Sequence, residues 1–179
     1  MKTLYVINGA MGVGKTAVSR ALQHLLPDCA FVDVDTCWDI APFRVTEVRK
    51  KLVFSNAAYL LNAYLACEEV QNCVFCWVMQ RCEIAETLLR KLSLGGVRLV
   101  RVTLTAREET LRARIEGDIA AGRRTADVLS RALAYLPLFE EETGAVKVPT
   151  DGRTVNELAR AIADMGGGNA AEGAANDET

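Results

Sequence analysis

The chain has few aromatic residues, 6% of 179, and a single histidine, His24. A core must therefore be mostly aliphatic. Charge of one sign is also lacking. Twenty-one basic residues stand against 23 acidic ones, leaving −2. That balance argues against a general nucleic-acid or membrane-surface binder, though it is compatible with a local basic site. No apolar run approaches the roughly 18 residues of a membrane-spanning helix. The start, Met1-Lys2-Thr3-Leu4, runs straight into a strand-like segment without the zones of a signal peptide, so a cytoplasmic location is expected. With 50% apolar residues, this length suits one domain that needs no staples.

The six cysteines invite a zinc or disulfide reading. Cys73-x-x-Cys76 lies in Cys73-Val74-Phe75-Cys76-Trp77-Val78, a segment patterned as a buried strand. An odd spacing in a strand sends the two thiols to opposite faces. No second C-x-x-C follows, so reduced cysteines acting as small apolar side chains are the better reading.

Residues 166–179 are rich in glycine, alanine and small polar groups and lack large apolar ones. They cannot repay the entropy of ordering, which predicts a disordered tail after a domain at 1–165. Within that domain apolar runs alternate with helical patterns. Leu4-Tyr5-Val6-Ile7 reads as a strand buried on both faces. Ala17, Val18, Ala21, Leu22 and Leu25 recur at helical spacing up to Pro27. Phe31-Val32 makes a short strand ending at Asp33. Residues 46–69 read as helix, with Val48, Leu52, Tyr59 and Ala63 among its apolar positions. A third strand is expected at 72–78, and a helix with the stripe Ile84, Leu88, Leu92 is closed by Gly95-Gly96. Val97 to Leu104 forms a fourth strand, and Thr105-x-x-Glu108 a capping box for the next helix. A polar stretch at 116–126 precedes a helix at 127–136. Val146-Lys147-Val148 is a short edge strand, and Thr154-x-x-Glu157 caps the last helix. This alternation specifies an α/β fold with a parallel sheet covered on both faces.

The informative motif is Gly9-Ala10-Met11-Gly12-Val13-Gly14-Lys15-Thr16, which fits G-x-x-x-x-G-K-S/T between a strand and a helix. Glycines let successive N–H groups turn inward around phosphate oxygens, and the helix that continues through Ala17 adds its positive end. Lys15 supplies a point charge for the outer phosphates, and Thr16 offers a hydroxyl to Mg²⁺. Lys15 is expected to be partly exposed.

This loop resembles that of the P-loop small-molecule and nucleoside-monophosphate kinases, the group that holds shikimate, gluconate and adenylate kinases. The resemblance covers about 1–163. It implies a P-loop NTPase three-layer α/β/α sandwich whose five-strand parallel sheet runs in the order 2-3-1-4-5. It also implies an acceptor region between strands 2 and 3, placed at 36–70, and an arginine-bearing lid between strands 4 and 5, placed at 116–126.

Asp33 and Asp35 end the second strand. At i and i+2 they extend from one side of an extended backbone toward the sheet edge where ligands bind. The pair is similar to the D-x-D of shikimate kinases. That similarity implies one carboxylate in the magnesium shell, for which Asp33 is the better placed, and one meeting the acceptor hydroxyl, assigned to Asp35. Lys15 and Mg²⁺ are expected to keep both ionised. No Walker-B acid is visible at the end of the third strand, and the glycine triplet of shikimate kinase is missing there. Trp77 and Gln80 are candidates for the acceptor pocket.

Arg112 has Glu108 and Glu116 four residues either side and reads as a surface ion-pair residue. Arg114 aligns with the arginine that in these kinases packs near the nucleotide base. Gly122-Arg123-Arg124 suits a mobile lid that clamps phosphates. Arg131 has Asp127 at i−4. Trp38 and Phe43, with Asn56 and Tyr59 from the next helix, are expected to wall a pocket for a ring-bearing acceptor, with Arg44 meeting an acceptor carboxylate or phosphate.

The resulting expectation is a cytoplasmic ATP- and Mg²⁺-dependent phosphotransferase acting on a small molecule, without nucleic-acid or membrane partners, as monomer or homodimer. The alternative is a nucleotide-binding switch or drug-resistance protein with weak ATPase activity and no phosphorylated product.

Overall fold

A computed structural model describes residues 1–139 and 144–167. Its order is β1 (Lys2–Gly9), α1 (Lys15–Leu25), β2 (Cys29–Asp33), a 3₁₀ turn (Val34–Trp38), α2 (Glu47–Ala66), β3 (Asn72–Cys76) and α3 (Cys82–Leu89). It continues with β4 (Val97–Thr105), α4 (Glu108–Ala120), α5 (Asp127–Tyr135), a second 3₁₀ turn (Leu136–Phe139), β5 (Val146–Pro149) and α6 (Val155–Met165). Among the described residues the strands form one parallel sheet, β2-β3-β1-β4-β5. The expected tail falls, from residue 168 on, outside the described residues.

β1 shows why the sheet is central. Leu4 and Val6 face one core, built with α2 and α3, and Tyr5 and Ile7 face the other, built with α1, α4 and α6. Both faces are covered, so a continuous apolar run is what the strand needs. Each large aliphatic side chain withdrawn from water this way contributes roughly 1.5–3 kcal/mol. Cys73 and Cys76 join opposite cores, and the six thiols are free. No helix of the described residues is long and apolar enough to cross a membrane.

Three local expectations need correction. In α2 the buried face is Val53, Ala57, Leu61 and Leu65, whereas Val48, Leu52, Tyr59 and Ala63 face solvent. The helix is apolar on both sides, so periodicity alone offers two stripes, and packing on β2 and β3 selects between them. The Thr105 capping box does not form. α4 begins at Glu108 with Arg107 as N-cap and no side-chain cap, and the Arg107 N–H donates to the Asp151 carboxylate, 3.2 Å away. The Thr154–Glu157 box does form, with both reciprocal bonds present. The polar stretch at 116–126 is helical as far as Ala120, which leaves the turn at 121–126.

Candidate phosphate site and adjoining cavity

Two of the three glycines in the loop from β1 to α1 meet opposite constraints. Gly9 leaves the strand at φ 142°, and a Cβ there would lie 2.6 Å from the Leu104 carbonyl oxygen. Only glycine lets β1 end this close to β4. Gly14 is the N-cap of α1 at φ 104°, without a side-chain cap, and nothing lies within 4 Å of where its Cβ would be. Gly14, Lys15, Thr16 and Ala17 at the start of α1 line an open space, and the unsatisfied N–H groups of a helix N-terminus suit an anion there. That space is a cavity of about 230 Å³, lined by Met11, Gly12, Gly14, Lys15, Thr16 and Ala17 of the loop and by Asp33, Asp35 and Arg124. Gly9, Ala10 and Val13 hold the loop from behind. Ala10 and Val13 are buried, and the Ala10 carbonyl accepts from Lys15 Nζ at 2.9 Å.

Lys15 is buried rather than partly exposed. Its side chain curls back onto the loop, under the end of β3. Burial lowers its pKa to about 8, with Arg124 adding to the depression, while Cys76, Asp35 and Asp33 oppose it. An ammonium withdrawn from water this far is poised to accept a strong anionic partner.

Thr16 Oγ1 donates to Asp33 Oδ2 at 3.1 Å. Two hard oxygen ligands thus meet at the cradle mouth, a donor set that suits Mg²⁺, which is held through few protein oxygens plus phosphate. Asp35 reaches the cradle by a route that differs from the extended pair expected from sequence. The chain enters a 3₁₀ turn at Val34, and Asp33 Oδ1 accepts the Asp35 N–H at 3.1 Å. Asp35 is raised above the ordinary aspartate value, first by burial and then by Asp33, while Lys15 and Arg124 oppose the rise.

Beside the cradle lies a second cavity of about 850 Å³. Met11, Asp33, Asp35, Trp77, Val78 and Arg124 line both spaces, so the two carboxylates and Arg124 stand at their junction. Trp38, Phe43, Trp77 and Gln80 line the larger cavity. Trp38 and Phe43 contact each other at 6.2 Å between ring centroids. Arg44, Asn56 and Tyr59 do not line either of these cavities. Tyr59 and Asn56 lie on the outward side of α2 and Arg44 is solvent-exposed, because the α2 register that buries Val53 turns residues 56 and 59 away from the sheet. Their places are taken by Lys50 and Phe54 of α2, Ile84 of α3, and Val128, Arg131 and Tyr135 of α5. The spacing 128, 131, 135 is one helical face, a signal present in the sequence.

Arg123 and Arg124 share one acid. Asp118 accepts from Arg123 Nη2 at 2.8 Å and from Arg124 Nε at 2.9 Å, and both arginines hold its pKa below the ordinary range, Arg123 the more strongly. Arg124 reaches the cradle, whereas Arg123 lines neither of the two cavities. Arg114 donates to the Val13 carbonyl at 3.2 Å and to Thr150 Oγ1 at 3.0 Å. It thereby ties the loop to the end of β5. Arg112 pairs with Glu108 at 3.0 Å.

Asn8 was missed at the sequence level. Its amide donates to the Met79 carbonyl at 2.9 Å and accepts the Met79 N–H at 2.8 Å. This fixes the loop carrying Trp77 and Gln80 against β1. A polar residue inside an otherwise apolar strand was the available signal.

Solved structures with this fold include the tunicamycin resistance protein of Deinococcus radiodurans, with TM-score 0.69 and 18% identity over 92% of this chain and 95% of that one. A sugar kinase from Janibacter sp. HTCC2649 gives TM-score 0.66 and 14% identity over 92% and 94%. A gluconokinase from Sinorhizobium meliloti 1021 gives 0.64 and 18% over 92% and 94%. No curated protein matches the sequence. The profile of the AAA domain matches residues 6–131. That span runs from the strand that launches the phosphate loop to the helix beyond the lid, and the chain belongs to the AAA-domain family of P-loop proteins.

Proposed function

We propose that the protein is an ATP-dependent phosphotransferase that moves the γ-phosphoryl group of Mg-ATP to a hydroxyl of a ring-bearing small molecule. The observation that carries this reading is the junction. Asp33, Asp35 and Arg124 line both the phosphate cradle and a cavity large enough for an acceptor. A plain nucleotide binder has no need of such a shared wall. The sugar kinase and gluconokinase that share the fold support the same reading.

Phosphoryl transfer depends mainly on positioning and charge neutralisation. In this reading the loop N–H groups and Lys15 hold the outer phosphates. Thr16 and Asp33 would hold Mg²⁺, which would supply positive charge to neutralise the phosphates. Arg124 approaches from the lid side. Asp35 accepts a hydrogen bond from the acceptor hydroxyl, orients its oxygen toward the γ-phosphorus and takes its proton as the new P–O bond forms and the bond from the γ-phosphorus to the β–γ bridging oxygen breaks, releasing ADP.

The test is to incubate the protein with Mg-ATP and pools of hydroxylated small molecules and to look for phosphorylated products. Product formed by the wild type and lost in Asp35→Asn supports the assignment. ATP binding without product from any pool refutes it. One observation favours a second reading, in which the protein binds nucleotide and drug without transfer. Cys76, not a carboxylate, is what the end of β3 contributes to the cradle wall. That reading expects slow ATP hydrolysis in place of a phosphorylated product.

A further inference from the structure

The larger cavity constrains the acceptor beyond its being ring-bearing. Its volume of about 850 Å³ lies toward the upper end of the roughly 300–1,000 Å³ of small-molecule sites, well beyond what a six-carbon sugar acid fills. Much of its wall is apolar. Phe54 meets Trp77 edge-on at 5.2 Å, with Ile84 beside them and Val128 and Tyr135 contributed by α5. A polar sugar acid would leave this surface uncovered.

The charges point the same way. Three cationic side chains line the cavity: Lys50, Arg124 and Arg131. Each already holds a carboxylate. Lys50 pairs with Glu47 at 2.8 Å, Arg124 with Asp118 at 2.9 Å and Arg131 with Asp127 at 2.8 Å. Asp33, Asp35 and Asp39 add three acids to the lining. A carboxylate-bearing acceptor would share these cations with the acids they already hold and would also face the aspartates.

We infer that the acceptor is an uncharged, amphipathic ring alcohol, with its hydroxyl at Asp35 and its apolar part on the Phe54–Trp77–Ile84 wall, under Tyr135. This rests on the phosphotransferase reading only for what happens at the hydroxyl. The binding preference stands on the cavity itself.

The protein carries its own reporter. The chain has two tryptophans, Trp38 and Trp77, and both line this cavity. Intrinsic fluorescence of the full chain, with Mg-ATP present, is titrated with phenyl β-D-glucoside, octyl β-D-glucoside, glucose and gluconate. The two glucosides are expected to saturate the signal at concentrations about tenfold or more below glucose and gluconate, through burial of their apolar groups. In Glu47→Gln, an exposed position, Lys50 is released. Gluconate is then expected to bind about two- to fivefold more tightly, as for loss of an exposed ion pair, with the glucosides unchanged. Gluconate saturating at or below the glucoside concentrations in the wild type overturns the inference. So does an unchanged gluconate titration in Glu47→Gln. Phosphorylated gluconate with no response to glucosides overturns it too, while leaving the phosphotransferase reading intact. Tight glucoside binding without a phosphorylated product supports the inference and counts against phosphotransfer.

Discussion

Replacing Lys15 with methionine separates what this residue contributes to ligand binding from what it costs the fold. Methionine keeps the aliphatic stem and removes the charge. In the wild type that charge is buried, and the fall in pKa from 10.5 to about 8 corresponds to about 3 kcal/mol of destabilisation at neutral pH, at roughly 1.36 kcal/mol per unit. The substitution also strips the Ala10 carbonyl of its donor, a loss of about 1–2 kcal/mol. Without nucleotide, Lys15→Met should therefore be more stable than wild type by about 1–2 kcal/mol, a rise of several degrees at about 2–4 °C per kcal/mol. The sign with pH follows from proton counting. Between about 8 and 10.5 the unfolded chain still holds the lysine proton that the folded chain has released. Wild-type stability therefore climbs with pH across that window, and the advantage of the variant is full below pH 8 and fades toward pH 10.5. With Mg-ATP the order reverses: ligand at about 100 times its Kd stabilises wild type by about 2.7 kcal/mol, and the variant gains little. Thermal denaturation from pH 6 to 10.5, with and without Mg-ATP, measures all of this. A variant that is less stable than wild type at pH 7 without nucleotide, or a difference that does not change across the window, refutes the reasoning.

Asp35→Asn should leave ATP affinity nearly intact and lower product formation by about 10²–10⁴, the scale of a lost general base, measured as product release against isothermal ATP titration. Arg124→Ala should cost about 10²–10³ in rate, as for one preorganised charge donor, and hydrogen exchange across 121–126 should slow when Mg-ATP and acceptor are both present; equal exchange in both states would mark an ordinary turn. Gly12→Ala places a Cβ 2.6 Å from Ile115 Cγ1 at φ 81°, so chemical denaturation should show a loss of about 1–3 kcal/mol. Asn8→Ala leaves both Met79 backbone groups without partners and should cost about 2 kcal/mol, with a shift in the emission of Trp77, two residues from Met79.

The phosphate loop was readable from the sequence because its requirements are local. A strand, glycines at fixed spacing and a lysine define the cradle within eight residues. The same holds for the continuous apolar run of β1 and for Thr154–Glu157. α2 was misread because locality gives two answers there. Val48, Leu52 and Tyr59 form as regular a stripe as Val53, Ala57, Leu61 and Leu65, and only the sheet beneath decides between them. Asp35 was placed in the cavity for an incomplete reason. The extended i, i+2 geometry fails at the 3₁₀ turn, and the Asp33 carboxylate, by capping that turn, returns Asp35 to the same cleft.

The wall of the larger cavity was harder to read because it is assembled from segments far apart in the chain, and because sequence rules for charge see only near neighbours. Arg112 and Arg131 each find an acid at i−4, the spacing that helical reasoning anticipates. Yet Arg131 also lines the cavity, so a local explanation for a residue does not exhaust its role. Arg123 and Arg124 are the reverse case. Their acid, Asp118, stands five and six residues back, across the Gly122 turn at φ 69°, where no helical period applies. That turn lets one carboxylate hold two adjacent guanidiniums, and only Arg124 is left facing the cradle. Discrimination between the two arginines therefore comes from the backbone at Gly122 and from the reach of Asp118. A substitution at Asp118 should disturb Arg124 at the cradle wall before it disturbs the fold, because the acid lies on the surface end of α4 while Leu111 and Ile115 hold that helix to the core.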